Sequence, residues 1–422
     1  MSQVTLPVAE SPLRTACACS KDDCSGETVA LETPCATEIY FRCAPTLAEG
    51  EMDFKQQVRR FYDCLPRCLE QVGGNMSHVV LERAFFESFA DDMETFQTIR
   101  NEAYANAGVP SDELPAPTYI QQPPCRGSQK IELHVYAIVP RPGQSVTVKT
   151  FYDRETQTTA KLVEVAGYKH LYISDINGLS GDAENPGTFR EQSDRMFANC
   201  ARLLKAYGVT FPNVARTWCY MNDIDNTYDE FNLSRNAFFA EEGVERLPAS
   251  TGIEARLYPL SALCGMDLYA VLNPEGVAIE IMKTPTLNEA PEYGSAFSRG
   301  MRVDLPDKTV LHISGTASVD EKGDTVHLDD PRKQIERMLL NIQELLKPHG
   351  ATMQDLTQAA TFLKHREYLE MYEEILEQWG IRSVPNTLVE AGVCRPNLLC
   401  EMEAVAVLPK RTLNGERVPV KR

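Results

Sequence analysis

Ile335, Met338, Leu339, Ile342 and Leu345 fall on one face of the segment DPRKQIERMLLNIQELLKPHG, a spacing that predicts an amphipathic helix stopped by Gly350. The segment before it, TVLHISGTAS (309–318), and the one after it, DLTQAATFL, are rich in β-branched and apolar residues and predict strands. The same order occurs twice earlier. EIYFRCAP (38–45) and HLYISDI (170–176) predict first strands, and HVVLERAFF and NVARTWCYM predict middle strands. A second helix follows each middle strand, around Phe96 to Tyr104, Tyr228 to Phe239 and Tyr368 to Trp379. Each copy then closes with a Pro-containing loop and a final strand, KIELHVYAIV, GMDLYAVL or CEMEAVAVL.

A residue ladder ties the three copies together. Gln57, Gly73, Val79 and Phe85 recur as Gln192, Gly208, Val214 and Tyr220, and again as Gln334, Gly350, Leu356 and Phe362, always at offsets of 16, 22 and 28 from the glutamine. The copies lie 135 and 142 residues apart, far beyond a solenoid period, so each is a small domain. Two helices interleaved with strands give an α+β layer whose helices cover one sheet face. Three open faces meeting about an axis predict an internal pseudotrimer. The expected division is an N-terminal Cys-containing arm (1–36), unit 1 (37–140), unit 2 (141–275), unit 3 (276–412) and a tail (413–422). Residues 141–167 read as an extra hairpin, and 273–294 as a strand followed by a Pro-containing loop.

Composition narrows the function. A net charge of −18 and a pI near 5.0 exclude a broad nucleic-acid or acidic-membrane surface. The opening MSQVTLPVAE has neither a basic nor an apolar leader region, and no stretch approaches the roughly 20 apolar residues of a membrane span, so a cytoplasmic protein is expected. Thirteen scattered cysteines favour reduced thiols. Cys17, Cys19 and Cys24 complete no familiar zinc pattern, so no metal is expected, and the arm reads as disordered or loosely tethered.

SAFSRG (295–300), HISGTAS and VCRPNLLCEMEAVAV resemble the opening segment, the SGQ strand and the closing ARLPKDxxxEIEAIA segment of the RidA (YjgF) family of small trimeric proteins. Within that superfamily ARTWCYM, LPASTGI, YGSAFSR, HISGTAS and CRPNLLCE follow the order found in chorismatases, which are single-chain pseudotrimers of the same unit. The chain lacks the prolines of the chorismatase YGPxSPxFxR segment, and it has SGTASVDEKG where SGTASIVGH is usual. The resemblance implies three RidA-like (chorismate-mutase-like) units, each a mixed sheet with two helices on one face. It also implies a cofactor-free hydrolase acting on a small unsaturated carboxylate, chorismatase-like or an enamine/imine deaminase. The chain would be a monomeric pseudotrimer or a higher homo-oligomer of it. A non-catalytic metabolite-binding protein is the rival reading.

Cys394-Arg395 followed by Glu401 recurs as Cys125-Arg126 followed by Glu132, with the same Cys-to-Glu spacing of 7. The middle copy has Cys264-Gly265-Met266-Asp267 instead, so two candidate sites and one retired site are expected. Arginine offers a planar fork for a substrate carboxylate. A buried glutamate can protonate an sp2 carbon, after which water attacks the cation; Glu401 is the candidate acid, and Glu403 would raise its pKa as a like charge. Glu401 and Glu403 also fit a plain solvated strand face. Cys394 reads as a polar pocket wall, with a nucleophilic role open. The RidA resemblance implies that the pocket lies between units and that Phe297, Ser298, Arg299 and Thr387 line it around Glu401. Arg299 would grip a second carboxylate or be a surface arginine. The chorismatase resemblance adds Arg216 and Trp218, the latter equally a core aromatic. Thr118, Thr251 and Thr387 recur before each final strand, as turn residues or as substrate contacts.

Overall fold

The computed structural model describes residues 13–16, 24–45, 52–89, 92–180, 185–272, 276–381 and 384–410. The first unit runs β1 (Leu13–Ala16), β2 (Cys24–Glu32), β3 (Ala36–Pro45), α1 (Phe54–Glu70), β4 (Val79–Phe86), α2 (Met93–Asn106), β5 (Ala116–Gln121) and β6 (Ile131–Pro140). The second runs β7 (Thr147–Asp153), β8 (Thr158–Val165), β9 (Tyr168–Asn177), α3 (Phe189–Ala206), β10 (Val214–Met221), α4 (Ile224–Glu241), β11 (Ala249–Glu254), β12 (Arg256–Leu257) and β13 (Cys264–Leu272). The third runs β14 (Ala278–Ile281), β15 (Gly300–Asp304), β16 (Lys308–Ala317), α5 (Pro331–Leu346), β17 (Leu356–Leu363), α6 (Leu369–Gln378), β18 (Asn386–Glu390) and β19 (Cys400–Pro409).

Three sheets result, ordered β1-β2-β3-β6-β4-β5-β12, β11-β10-β13-β9-β8-β7 and β14-β15-β16-β19-β17-β18. Each is mixed, because β4·β5, β10·β11 and β17·β18 are parallel whereas the other pairings are antiparallel. The expected loose arm is corrected over Cys24–Glu32, where β2 pairs with β3 along its whole length and belongs to the first sheet, whereas Cys17, Cys19 and the expected tail (413–422) lie outside the described residues. β2 is the first unit's counterpart of the β7–β8 hairpin. The expectation of reduced thiols is corrected at one position among the described residues, since Cys64 is disulfide-bonded, whereas Cys394 and Cys125 are free thiols.

The repeated glutamine has a physical reason. In each unit it sits on the first long helix, fully buried, and ties that helix to the loop before the closing strand. Gln57, Gln192 and Gln334 donate through Nε2 to the carbonyls of Ser128, Ser261 and Asn397 at 2.9, 3.0 and 3.0 Å. Their Oε1 atoms accept the amides of Lys130, Leu263 and Leu399, each at 2.9 Å. A buried amide group satisfied on both ends permits few substitutes. The glycines of the ladder adopt φ of +75°, +72° and +71° just past their helices, a conformation that side-chain-bearing residues seldom take.

Strand faces show where the open sides go. β13 and β10 are buried at every position, so both faces of the second sheet are covered. One face packs under α3 and α4, and the other turns to the neighbouring units. Register identifies equivalent positions. Thr118, Thr251 and Thr387 pair with Arg83, Trp218 and Ala360, which on their other side pair with His134, Asp267 and Glu403. Thr118 Oγ1 donates to Asp267 Oδ2 at 2.8 Å, joining unit 1 to unit 2. Arg216 Nη2 links Thr251 to Glu403, joining unit 2 to unit 3. Thr387 Oγ1 lies 3.4 Å from His134 Nδ1, joining unit 3 back to unit 1. The cycle is closed, as an internal pseudotrimer requires.

Candidate active site

A cavity of about 280 Å³ lies at the junction of units 2 and 3. Unit 3 contributes Glu401 at the start of β19, Cys394 and Arg395 from the preceding loop, and Phe297 and Arg299 just before β15. Unit 2 contributes Tyr228, Asn232 and Arg235 from α4 and Ser250 from β11. β16 and β19 slip register between Ile313 and Thr316, and the resulting bulge places Gly315 against the acid. A Cβ on Gly315 would meet the Glu401 carboxylate, so the glycine leaves room for the acid in its present position.

Electrostatics favour a protonated acid. Glu401 is 4% exposed, and burial, reinforced by the Glu403 charge, pushes its pKa up to about 8 against the opposing pull of Arg216 and Arg299. Glu403 itself accepts from Arg216 Nη2 at 2.8 Å and from Trp218 Nε1 at 2.9 Å, with Arg83 Nη1 3.8 Å away. These donors fix a carboxylate directly behind the acid. Burial and the Glu401 charge push the Cys394 thiol up to about 12 despite Arg395 and Arg299, so it remains a thiol at neutral pH and forms a wall.

Of the residues expected at this site, Glu401, Arg395, Cys394, Arg299 and Phe297 meet in one cavity. Arg299 is no surface residue: it is buried, donates to the carbonyl and side-chain oxygens of Asn288 at 2.8 and 3.0 Å, and lies 5.6 Å over the Phe297 ring. Arg395 Nη1 donates to the Gly323 carbonyl at 2.7 Å and so also braces the loop that follows β16. Arg216 stands behind the cavity, holding Glu403 and Thr251 rather than facing the open space. Trp218 also holds Glu403, from the axial side. Two expectations are corrected. Ser298 points away, because its backbone bridges to Ala249 and its hydroxyl donates to the Gly300 carbonyl. Thr387 belongs to the junction of units 3 and 1, beside His134, and the threonine behind this cavity is Thr251 of the neighbouring unit, which accepts the Gly315 amide at 3.1 Å.

The expected second site is also corrected. Arg42 grips Glu132 bidentately, Nε to Oε1 at 2.6 Å and Nη2 to Oε2 at 2.8 Å, with both side chains buried. Arg126 turns instead to Glu373 of unit 3 at 2.6 Å, and the buried Cys125 thiol is pushed up to about 12. Anchor and acid therefore serve separate ion pairs. At the remaining junction the residues have traded places. Asp175 occupies the bulge position of Gly315, and Gly265 occupies the position of Glu401, where Leu257 fills the space a side chain would need. Burial and Asp267 raise the Asp175 carboxyl well above the usual range. Among the described residues no cluster of His, Cys, Asp and Glu could hold a metal ion.

The sequence profile of the endoribonuclease L-PSP family matches residues 156–272 and 288–408, together more than half of the chain. The chain belongs to this family, which includes RidA/YjgF. A crystal structure of chorismatase is similar in fold, with a TM-score of 0.55 and 19% identity over 78% of this chain and 93% of that one. Single-unit family members align with one copy: the E. coli YjgF gene product at 22% identity (30% of this chain, 98% of that one, TM-score 0.25) and yeast Mmf1 at 17% (32% and 100%, TM-score 0.26). The three mixed sheets, the repeated family match and the likeness to chorismatase give three units of the family fold. No helix among the described residues is long and apolar enough to cross a membrane.

Sequence reasoning on this family member missed the α4 wall. Arg235 is buried, donates from Nη2 to Asn232 Oδ1 at 2.5 Å, and keeps a buried Nε without a hydrogen-bond partner among the described residues. A signal existed, because Arg235 stands 15 residues beyond Tyr220 as Arg100 stands 15 beyond Phe85. Arg100 is spent on Glu82 and the Pro115 carbonyl, which leaves Arg235 as the cavity-facing copy. Tyr228, hydrogen-bonded to Ser295, had no such signal.

Proposed function

We propose that this protein is a hydrolase of a small unsaturated carboxylate of enol-ether or enamine character, chorismatase-like in mechanism. The observation that carries the reading is a buried carboxyl group, Glu401, sharing one cavity with three guanidinium groups, Arg235, Arg299 and Arg395, while burial and Glu403 push its pKa up to about 8. An anionic substrate would be drawn in and oriented by the arginine forks. Glu401 would then give its proton to the terminal sp2 carbon, the electron pair of the double bond forming the new C–H bond and leaving an oxocarbenium or iminium ion at the neighbouring carbon. Water adds there and loses a proton to the Glu401 carboxylate, which restores the acid. Collapse of the adduct releases an alcohol from an enol ether, or ammonia from an enamine, together with a keto acid. No cofactor enters this chemistry. The chain's net charge of −18 gives no support to nucleic acid as substrate.

Chorismate and a dehydroamino acid are the two probes. Release of pyruvate from chorismate, abolished in Glu401→Gln, supports the enol-ether reading, whereas ammonia from the dehydroamino acid alone assigns the deaminase chemistry. Saturable binding of either compound with no turnover would replace both with a binding role.

A further inference from the structure

A second cavity, of about 60 Å³, lies where all three units meet on the pseudothreefold axis. Unit 1 lines it with His134, unit 2 with His170 and unit 3 with His312, and Tyr136 and Tyr269 stand between them. These imidazoles are 4%, 1% and 6% exposed. His170 Nδ1 is 2.7 Å from the Tyr269 hydroxyl, and His134 Nδ1 is 3.4 Å from both Gln358 Nε2 and Thr387 Oγ1. Their Nε2 atoms, and both ring nitrogens of His312, have no hydrogen-bond partner among the described residues. Folded proteins rarely leave buried nitrogens in that state, since each gave up hydrogen bonds to water on burial. Burial and nearby cations, Arg83 and Arg42 for His134 and Arg216 for His312, push both rings down to about 3 and keep them neutral, each with one donor and one acceptor nitrogen.

Size and charge decide the guest. A cavity that takes up benzene measures about 150 Å³, which excludes ring-sized molecules here. The wall's Lys308 and Glu38 are paired with each other and its Arg83 with Asp267 and Glu403, so each already has an ionic partner. We infer that the axial cavity is a hydration site, in which about two to four ordered waters hydrogen-bond the unpartnered imidazole nitrogens of His134, His170 and His312. Neutral rings suit water because each offers a donor and an acceptor. The waters tie the three units together on the axis. They also back Trp218, which lines this cavity and holds Glu403 on its other side.

A high-resolution crystal structure of the full chain tests this, paired with a crystal pressurised with xenon. The expected result is solvent peaks about 2.7–3.2 Å from the imidazole nitrogens and no xenon in the cavity. An empty cavity that fills with xenon overturns the inference. His312→Phe supplies a second reading: the peaks on His312 should vanish while those on His134 and His170 persist, and an unchanged set of peaks contradicts the assignment. Should that variant fail to fold, histidine-labelled wild-type protein replaces it. Magnetisation transfer from long-lived water to the ring protons is then expected, and its absence counts against the site.

Discussion

Arg216 Nη2 donates to Glu403 Oε2 across 2.8 Å, joining the middle strand of unit 2 to the closing strand of unit 3 directly behind Glu401. The pair places a fixed negative charge next to the acid and a positive charge one step further away. Replacing Glu403 by Gln removes the like charge and leaves Arg216 acting on Glu401 uncompensated. The basic limb of the pH–rate profile is expected to move to lower pH in Glu403→Gln, with the loss greatest above neutrality. Profiles of kcat/KM for the two proteins check this.

Glu401→Gln removes the proposed proton donor while keeping the shape. General acid catalysis contributes about 100- to 10,000-fold, and a loss of kcat in that range is expected with KM little changed. Stability should respond with a definite sign. The folded-state pKa of Glu401, about 8, lies above the ordinary value of 4.5, so its contribution to stability is complete below pH 4.5 and is lost as pH rises through 8. The wild-type protein should therefore lose stability relative to Glu401→Gln by about 1.4 kcal/mol per pH unit within that window. Denaturant melts of both proteins at several pH values measure the difference.

Gly315→Ala tests the bulge. The added methyl group meets the Glu401 carboxylate and must push it aside. Misplacing a catalytic group by about 1 Å costs about 100-fold in rate, and that loss is expected with the fold retained by circular dichroism.

Arg235→Gln tests the wall contributed by unit 2. Charged hydrogen bonds are worth about 1.5–3 kcal/mol, so KM for an anionic substrate should rise about tenfold or more, with a smaller change in kcat. An unchanged KM would exclude Arg235 from substrate contact.

Much of this architecture was legible from the chain, and the reasons separate cleanly by distance. The glutamine ladder, the helix stops and the closing strands are local patterns, and each unit writes them again. The contacts that decide the site are not local. Arg42 and Glu132 are 90 residues apart and meet only because β3 and β6 pair, so the first CR…E motif read as a cleft when its acid is in fact clamped. Sequence order does not show in which sense three units close a ring, so it does not place Thr387 at the junction of units 3 and 1. Thr251 stands behind the cavity instead. The trade of Gly315 and Glu401 for Asp175 and Gly265 depends on a bulge that no spacing reveals.

The same reading predicts that unit 1 is structural. Glu132→Gln should leave turnover unchanged, whereas Arg42→Met should cost about 3–5 kcal/mol because it strands a buried carboxylate. Thermal melts and steady-state assays of the two variants distinguish this from a second active site, in which Glu132→Gln would lower activity.

The proposed chemistry depends on Glu401 staying protonated at the junction of units 2 and 3. The most direct measurement is a carbon-13 NMR titration of glutamate-labelled protein, with Glu401 assigned by difference against Glu401→Gln. A side-chain carboxyl resonance that titrates near pH 8 is predicted. A Glu401 resonance already ionised at pH 5 would contradict the account.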